Sequence, residues 1–161
     1  MTRFEQIYAE HRDAVRAYVR RRAPEAAVDD VVSDTFLVCL RRIECVPAEP
    51  LPWLYAVARK TLANERRKRA RIAPRAEVPA GEPAPAGDGA LSAAFNTLSE
   101  RDREVLRLVA WEGLSLADTA TVLGCSELAC RVRYHRAKTR LASKLTATAS
   151  SFRPEPKGVT R

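Results

Sequence analysis

Basic side chains are concentrated near the C-terminal end of the chain, in the stretch RVRYHRAKTR at residues 131–140. Arginine and lysine at helical spacing line one side of a helix with cations, and such a surface suits the phosphates of a nucleic acid. Ser126 precedes the stretch as a candidate helix cap, and Gly124 stands where the chain must turn sharply. These residues predict the second helix of a helix-turn-helix, which enters the major groove of duplex DNA.

The predicted recognition helix has an apolar side and a side left for DNA. Its apolar stripe repeats at spacings of four, three and four residues and is predicted to face the core: Cys130, Tyr134, Ala137 and Leu141. First-turn residues of such a helix reach base edges, and later arginines reach phosphates. The candidates for contact with duplex DNA are Ser126, Glu127, Ala129, Arg131, Arg133 and Arg136.

A second basic surface is predicted on a helix that begins near Trp53 and ends in the run RRKRAR at residues 66–71. Cations beside aromatic rings suit single-stranded DNA, because phosphates attract the charge and unstacked bases need a flat surface. For Trp53 a core position is favoured over a role in stacking, since aromatic side chains usually bury. The candidates for contact with unpaired DNA are Trp53, Arg59, Lys60, Asn64, Arg67 and Arg71.

An acidic helix is predicted earlier in the chain, at VDDVVSDTFLVCLRR. Its main apolar stripe is predicted to be Val28, Val32, Phe36, Cys39, Leu40 and Ile43. Val31, Leu37 and Val38 lie outside that stripe and so predict spare apolar surface. An acidic helix with such a surface suits a protein partner. A helix buried within an ordinary bundle is the alternative, and this stretch alone leaves it open.

The pattern of periodic segments predicts an all-α fold of two small helical domains joined by a flexible linker. Residues 1–72 form the first domain, and residues 95–147 form the second, with the helix-turn-helix. Between them, residues 73–94 are rich in proline, glycine and alanine and poor in large apolar side chains, which predicts a flexible linker. Residues 148–161 are predicted to be a disordered tail.

Composition narrows the class of protein further. The chain has 161 residues and a formal net charge of +8, which suits a polyanionic partner. It has no apolar run of the ~18 residues that a membrane span needs and no secretory leader pattern, so we expect a cytoplasmic protein without a membrane partner. The four cysteines lack the spacing of a zinc site and are expected to be reduced thiols. Neither a catalytic motif nor a cofactor or metal motif is present, so we expect no enzyme.

Three stretches resemble, in chain order, the functional segments of extracytoplasmic-function (ECF) sigma factors, small members of the bacterial sigma-70 family. The acidic stretch VDDVVSDTFLVCLRR is similar to the segment that binds RNA polymerase core. PWLYAVARKTLANERRKRAR is similar to the segment that melts the promoter and reads its −10 element. The stretch from LSERDREVLRL to YHRAKTRL is similar to the domain that reads the −35 element. A helix-turn-helix alone is common, whereas the three stretches in this order are specific.

The resemblance implies RNA polymerase core and promoter DNA as partners. The helix that docks on a coiled coil of the largest polymerase subunit is matched at Asp30, Asp34, Thr35 and Phe36. Residues 44–52 and the basic helix after them match the part that captures a flipped base, and residues 126–136 match the −35 helix. The family often uses an anti-sigma factor, which is a further candidate partner, and we expect the free chain to be a monomer.

Two positions depart from the family pattern: Lys60 stands where asparagine is usual, and Cys130 where valine is usual. The first affects the expected −10 contacts, and the second is a change within the core. The sequence therefore predicts a sigma factor that directs polymerase core to promoters and assists melting.

Two other functions are compatible with parts of the sequence. A free-standing helix-turn-helix regulator, which binds duplex DNA without polymerase, leaves the acidic helix and the basic run at 66–71 unexplained. An adaptor between helical partner proteins leaves the basic recognition helix unexplained. Retention by polymerase core distinguishes the sigma factor from both.

Overall fold

A computed structural model describes residues 1–72 and 89–151, and within those ranges the regular structure is entirely helical. The helices are α1 (Arg3–Arg20), α2 (Glu25–Arg41), α3 (Pro50–Ile72), α4 (Gly89–Asn96), α5 (Glu100–Ala110), α6 (Leu116–Leu123) and α7 (Glu127–Ser151), with a short 3₁₀ turn at Ile43–Cys45. The predicted all-α fold is confirmed. In the described part of the chain, no helix is long and apolar enough to cross a membrane.

Side-chain caps start several of these helices. Thr2 and Glu5 form a reciprocal capping box at α1. The hydroxyl of Ser99 accepts from the Asp102 N–H at 3.2 Å, and that of Ser115 accepts from the Asp118 N–H at 3.0 Å.

The turn of the helix-turn-helix requires a backbone conformation that favours glycine. Gly124 ends α6 with φ at 68° and ψ at 37°, in the left-handed region. The predicted sharp turn is confirmed, and it sets the angle at which α7 leaves α6.

The N-terminal half is a bundle of α1, α2 and α3 around a core that includes Val15, Tyr18, Phe36 and Leu54. Tyr55 is also buried, and its ring stacks on Tyr18 at a centroid distance of 4.6 Å. This half presents the outer faces of α2 and α3 to solvent.

The structure corrects two expectations on α2. Val31, which the sequence left outside the apolar stripe, is 1% exposed, whereas Leu40, which it placed inside, is 49% exposed. The helix packs against both α1 and α3, and its buried surface is therefore wider than one stripe and turned toward Val31.

The C-terminal half contains α4 to α7, with a core cluster that includes Phe95, Leu98, Leu106 and Cys130. α7 packs against α4, α5 and α6, so three helices hold the recognition helix on its inner side. That packing leaves the outer side of α7 to solvent.

The described helices extend beyond the predicted domain limits. Residues 89–94, assigned to the linker, lie in α4, where Ala94 and Phe95 are buried. Residues 148–151, assigned to the tail, continue α7. Alanine and leucine in α4 favour a helix, but eight residues are too few for a stable helix in isolation, so α4 depends on its packing against α7. The rest of the predicted linker and tail, residues 73–88 and 152–161, lies outside the described residues.

A charged network between the C-terminal end of α1 and α5 joins the two halves. The Arg22 side chain is 3% exposed and donates from Nε to Glu104 at 3.0 Å and from Nη1 to Glu112 at 2.9 Å. Arg21 donates to Glu112 at 2.8 Å, and the Tyr18 hydroxyl donates to Glu104 at 3.2 Å. The two predicted domains thus share a buried polar contact rather than meeting only through the linker.

The same network keeps its cationic and phenolic members protonated. Burial by itself would lower the pKa of Arg22, but the carboxylates of Glu104 and Glu112 contribute to raising it above its usual range. Burial raises the pKa of Tyr18, and the charge of Glu104 raises it further. Arg22 and Tyr18 therefore keep their protons across the physiological pH range.

Apolar packing accompanies the charges. Leu108 of α5 and Val122 of α6, which are 0% and 3% exposed, belong to the same core cluster as the N-terminal helices. The contact between the halves therefore combines a buried apolar surface with a charged network.

Candidate nucleic-acid interface

α7 has a clear division between core and solvent sides. Cys130 and Ala137 are both 0% exposed and fix the inner side of the helix. The Ser126 hydroxyl accepts from the Ala129 N–H at 3.2 Å and caps the N-terminus, as predicted. Tyr134 and Leu141 pack against the same core, so the predicted apolar stripe of α7 is confirmed.

The candidates for duplex contact lie on the exposed part of α7 or at its start. Five of them are exposed, namely Ser126, Glu127, Ala129, Arg131 and Arg136, and Arg133 is half-buried. Arg131 donates to Glu127 at 3.0 Å across one helical turn. Both partners are more than half exposed, so this ion pair is weak and does not fix the Arg131 side chain.

A groove beside α7 adds further cations to the same surface. It runs between the start of α5 and α7, and Arg101, Arg133, Arg136 and Arg140 line it. Arg140 is fixed there by a 2.7 Å ion pair with the buried carboxylate of Asp102. The charge is therefore positioned along the groove as well as on the outer side of α7.

Two apolar side chains on this surface were not among the predicted contacts with duplex DNA. Leu128 is 72% exposed and Val132 is 42% exposed. The sequence predicts their exposure, because both lie outside the repeat that predicts the core stripe.

The basic face of α3 is open to solvent. Its exposed candidates are Arg59, Lys60, Asn64, Arg67 and Arg71. Trp53 is half-buried and packs against the N-terminal core, so only part of its ring is available to a base. Arg66 donates to the Arg22 carbonyl at 2.9 Å and anchors α3 next to the contact between the halves.

The candidates on α2 separate into two pairs. Asp30 and Asp34 are exposed, whereas Thr35 and Phe36 are 0% and 3% exposed. The Thr35 hydroxyl donates to the Val31 carbonyl at 2.7 Å, and the Phe36 ring meets Tyr8 edge-on. Thr35 and Phe36 therefore shape the bundle beneath the acidic surface.

The exposed acidic surface of α2 contains Leu37, which the sequence places outside the main apolar stripe as spare apolar surface. Leu37 is 46% exposed and follows Asp30 and Asp34 at helical spacing, so the three side chains share one face. A mixed acidic and apolar face of this kind suits a basic protein surface.

The cysteines differ in burial. Burial raises the pKa of the Cys39 and Cys130 thiols above their usual range, which lowers their thiolate fraction. Cys45 is exposed and Cys125 is half-buried. Among residues 1–72 and 89–151, no group of three or more potential ligands is placed to hold a metal ion.

Both halves of the chain match sequence models of known families. The sequence model of the family described as Sigma-70 region 2 matches residues 7–72, and that of Sigma-70, region 4 matches residues 88–141. The chain is also 34% identical to the ECF RNA polymerase sigma factor SigF of Caulobacter vibrioides, over 81% of this chain and 79% of SigF. This chain belongs to the ECF sigma factors of the sigma-70 family.

Other relatives of this sigma factor are similar to it at comparable identity. It is 30% identical to ECF sigma factor EcfG of Rhodopseudomonas palustris, over 79% of this chain and 76% of EcfG. It is 31% identical to BldN of Streptomyces coelicolor over 88% of this chain, and it spans 60% of the length of BldN.

Two solved structures share the fold of this sigma factor. RpoE, seen in complex with the anti-sigma factor NepR from Bartonella quintana, gives a TM-score of 0.66 at 25% identity and covers 89% of this chain and 96% of its own. CnrH, in complex with the cytosolic domain of CnrY, gives a TM-score of 0.61 at 27% identity, covering 89% of this chain and 88% of its own.

Proposed function

We propose that this chain is a promoter-specificity subunit of bacterial RNA polymerase, which binds the core enzyme, directs it to promoters and assists opening of the duplex. The observation that carries the proposal is the succession of region 2 and region 4 within one ECF sigma factor chain. The chain acts by binding, and no catalytic step is assigned to its own residues. Because its proposed partner is RNA polymerase core, we propose that this chain acts in the cytoplasm.

The proposed domains follow the helices. Residues 1–72 form the domain for polymerase core and the −10 element. The −35 domain, predicted at residues 95–147, is extended to begin with α4 at Gly89, because that helix packs against α7.

The polymerase contact is proposed for the outer face of α2. Asp30 and Asp34 supply negative charge, and Leu37 supplies apolar area between them and the end of the helix. Thr35 and Phe36 support this face from the core and are proposed to act through its shape. Desolvated apolar area with charged neighbours is typical of a specific protein interface.

The −10 contact is proposed for the basic face of α3. Phosphates of the non-template strand would meet Arg59, Lys60, Arg67 and Arg71, while Asn64 offers hydrogen bonds to a base edge. The half-buried ring of Trp53 provides the edge of a stacking surface for an extruded base.

An anti-sigma factor is a further proposed partner. RpoE and CnrH, both similar to this chain, are seen in complexes with the anti-sigma factor NepR and with the cytosolic domain of CnrY. An inhibitor that covers the outer faces of α2 and α7 would block both proposed contacts.

The proposed −35 contact yields a direct test at Arg131. Arg131→Ala is expected to weaken initiation at promoters with an intact −35 element by about 1–3 kcal/mol, because a guanidinium bound to a base edge contributes that much. Its pairing with Glu127 costs little to break. The measurement is transcription by polymerase core with each variant, on one promoter carrying an intact or a scrambled −35 element.

Arg12→Ala is the matched control, because it removes the same charge from a half-exposed position on α1. Equal losses of the Arg131→Ala variant on the intact and the scrambled promoter would show that Arg131 makes no specific contact there.

A further inference from the structure

In the first two turns of the recognition helix, the outermost side chains are apolar, although arginines crowd the surface around them. Each residue turns an α-helix by about 100°, so Leu128 and Val132 lie within about 30° of the direction opposite the buried Cys130 and Ala137. Leu128 is 72% exposed and Val132 is 42% exposed, and they are one turn apart. Both therefore project from the outer side of α7, where they also line the edge of the groove between α5 and α7.

Cations border this line on both sides. Arg131 precedes Val132 on one side and Arg136 lies on the other, while Arg133 and Arg140 continue into the adjacent groove. The flanking charge favours a polyanion over an apolar protein surface as the occupant. In a helix-turn-helix, this outward side of the second helix faces the floor of the major groove.

The floor of the major groove offers one apolar group, the 5-methyl of thymine. Leucine and valine have no hydrogen-bonding atom in their side chains, so they cannot read the donors and acceptors of the bases, but they can bury a methyl. We propose that Leu128 and Val132 make this chain select thymine in its −35 element by contact with the thymine 5-methyl groups. The inference rests on the proposed function and adds two specificity-determining residues to it.

The expected effect follows from the burial of one methyl group. Removing the thymine 5-methyl should weaken binding about fourfold for each methyl contacted, because burial of one methyl-sized group changes a binding constant by about that factor. Deoxyuridine provides the test, since it lacks the 5-methyl and keeps every hydrogen-bonding group of thymine. Any preference for thymine over deoxyuridine therefore reports contact with the methyl.

The experiment uses the full chain with RNA polymerase core. A −35 duplex is first selected from a randomised pool, and the selected duplex is then made with thymine or with deoxyuridine at each thymine position. We expect weaker binding with deoxyuridine at one or two positions. Leu128→Ala and Val132→Ala should bind the thymine duplex more weakly and remove the preference at their own positions.

Two conservative variants separate the contact from general damage. Leu128→Met keeps apolar bulk and should keep the preference, whereas Leu128→Asn has similar size, is polar and should lose it. Because Leu128 is exposed, neither change disturbs the core.

A selected site without thymine, or an unchanged preference in the Leu128→Ala, Val132→Ala double variant, would overturn the inference while leaving the proposed function standing. If the chain selects a duplex that contains thymine but binds it equally well with deoxyuridine at every thymine position, the inference is wrong and the proposed function still stands. Failure of the chain and core to select any duplex would overturn the proposed function, and this inference with it.

Discussion

Asp30→Arg together with Asp34→Arg is expected to abolish retention of this chain by RNA polymerase core. Both carboxylates are exposed on the outer face of α2, so their replacement leaves the bundle core untouched. Reversal of charge at a protein interface costs several kcal/mol, and a cost of ~3 kcal/mol lowers affinity about a hundredfold. The measurement is the affinity of the purified variant for core enzyme, with circular dichroism to establish that the helices are intact.

Glu10→Arg together with Asp13→Arg is the matched control. It makes the same change in net charge on α1, where the two side chains are 75% and 93% exposed. We expect this control to bind core as the unchanged chain does. Equal affinity of the α2 double variant and the control would remove the acidic face of α2 from the polymerase interface.

Arg22→Ala is expected to destabilise the fold by about 3–5 kcal/mol, the largest stability effect we expect from a single change of charge. The substitution leaves the carboxylates of Glu104 and Glu112, 11% and 1% exposed, without the guanidinium that lies between them. Urea denaturation of the variant and the unchanged chain measures the difference. Arg20→Ala is the control, since that side chain is 58% exposed and its ion pair is worth at most ~1 kcal/mol.

The two tryptophans report separately on the two halves, because Trp53 lies in α3 and Trp111 follows α5. Variants with a single tryptophan, Trp111→Phe or Trp53→Phe, should show the same unfolding midpoint if the charged network and the shared apolar cluster unite the halves. Introduction of Arg22→Ala should lower both midpoints. A loss of less than ~1 kcal/mol, or a change seen by one tryptophan alone, would contradict a buried network between the halves.

The elements most accessible from sequence were those with strong local signals. Ser115, Gly124 and Ser126 each specify a helix end through their own side chain or backbone freedom, so the helix-turn-helix could be located without tertiary information. The inner side of α7 was likewise predictable, because Cys130 and Ala137 belong to one regular repeat.

The features that the sequence did not predict depend on tertiary contacts. The burial of Val31 and exposure of Leu40 follow from packing of α2 against two helices, which one repeat does not encode. The pairing of Arg22 with Glu104 and Glu112 joins positions more than eighty residues apart, and no local pattern links them.

The sequence predicted which residue types form the candidate sites better than it predicted which of their side chains are exposed. Charged candidates such as Asp34 and Arg67 are exposed, as a binding role requires, because charged side chains seldom bury without a partner. Thr35 and Phe36 came from the family resemblance, which transfers positions without stating which side chains face outward. Leu128 was not among the predicted DNA contacts, because those were inferred from charge and leucine has none.

Run-off transcription on fragments of bacterial genomic DNA tests whether this chain gives polymerase core its promoter specificity. Purified core is assayed alone, with the chain, and with the Asp30→Arg, Asp34→Arg variant, and the transcript starts are mapped. We expect discrete new starts only with the unchanged chain, each preceded by the same pair of sequence elements. The same starts with core alone would show that the chain adds no promoter specificity. Binding of the chain to duplex promoters without core, and without any new start, would favour a free-standing regulator.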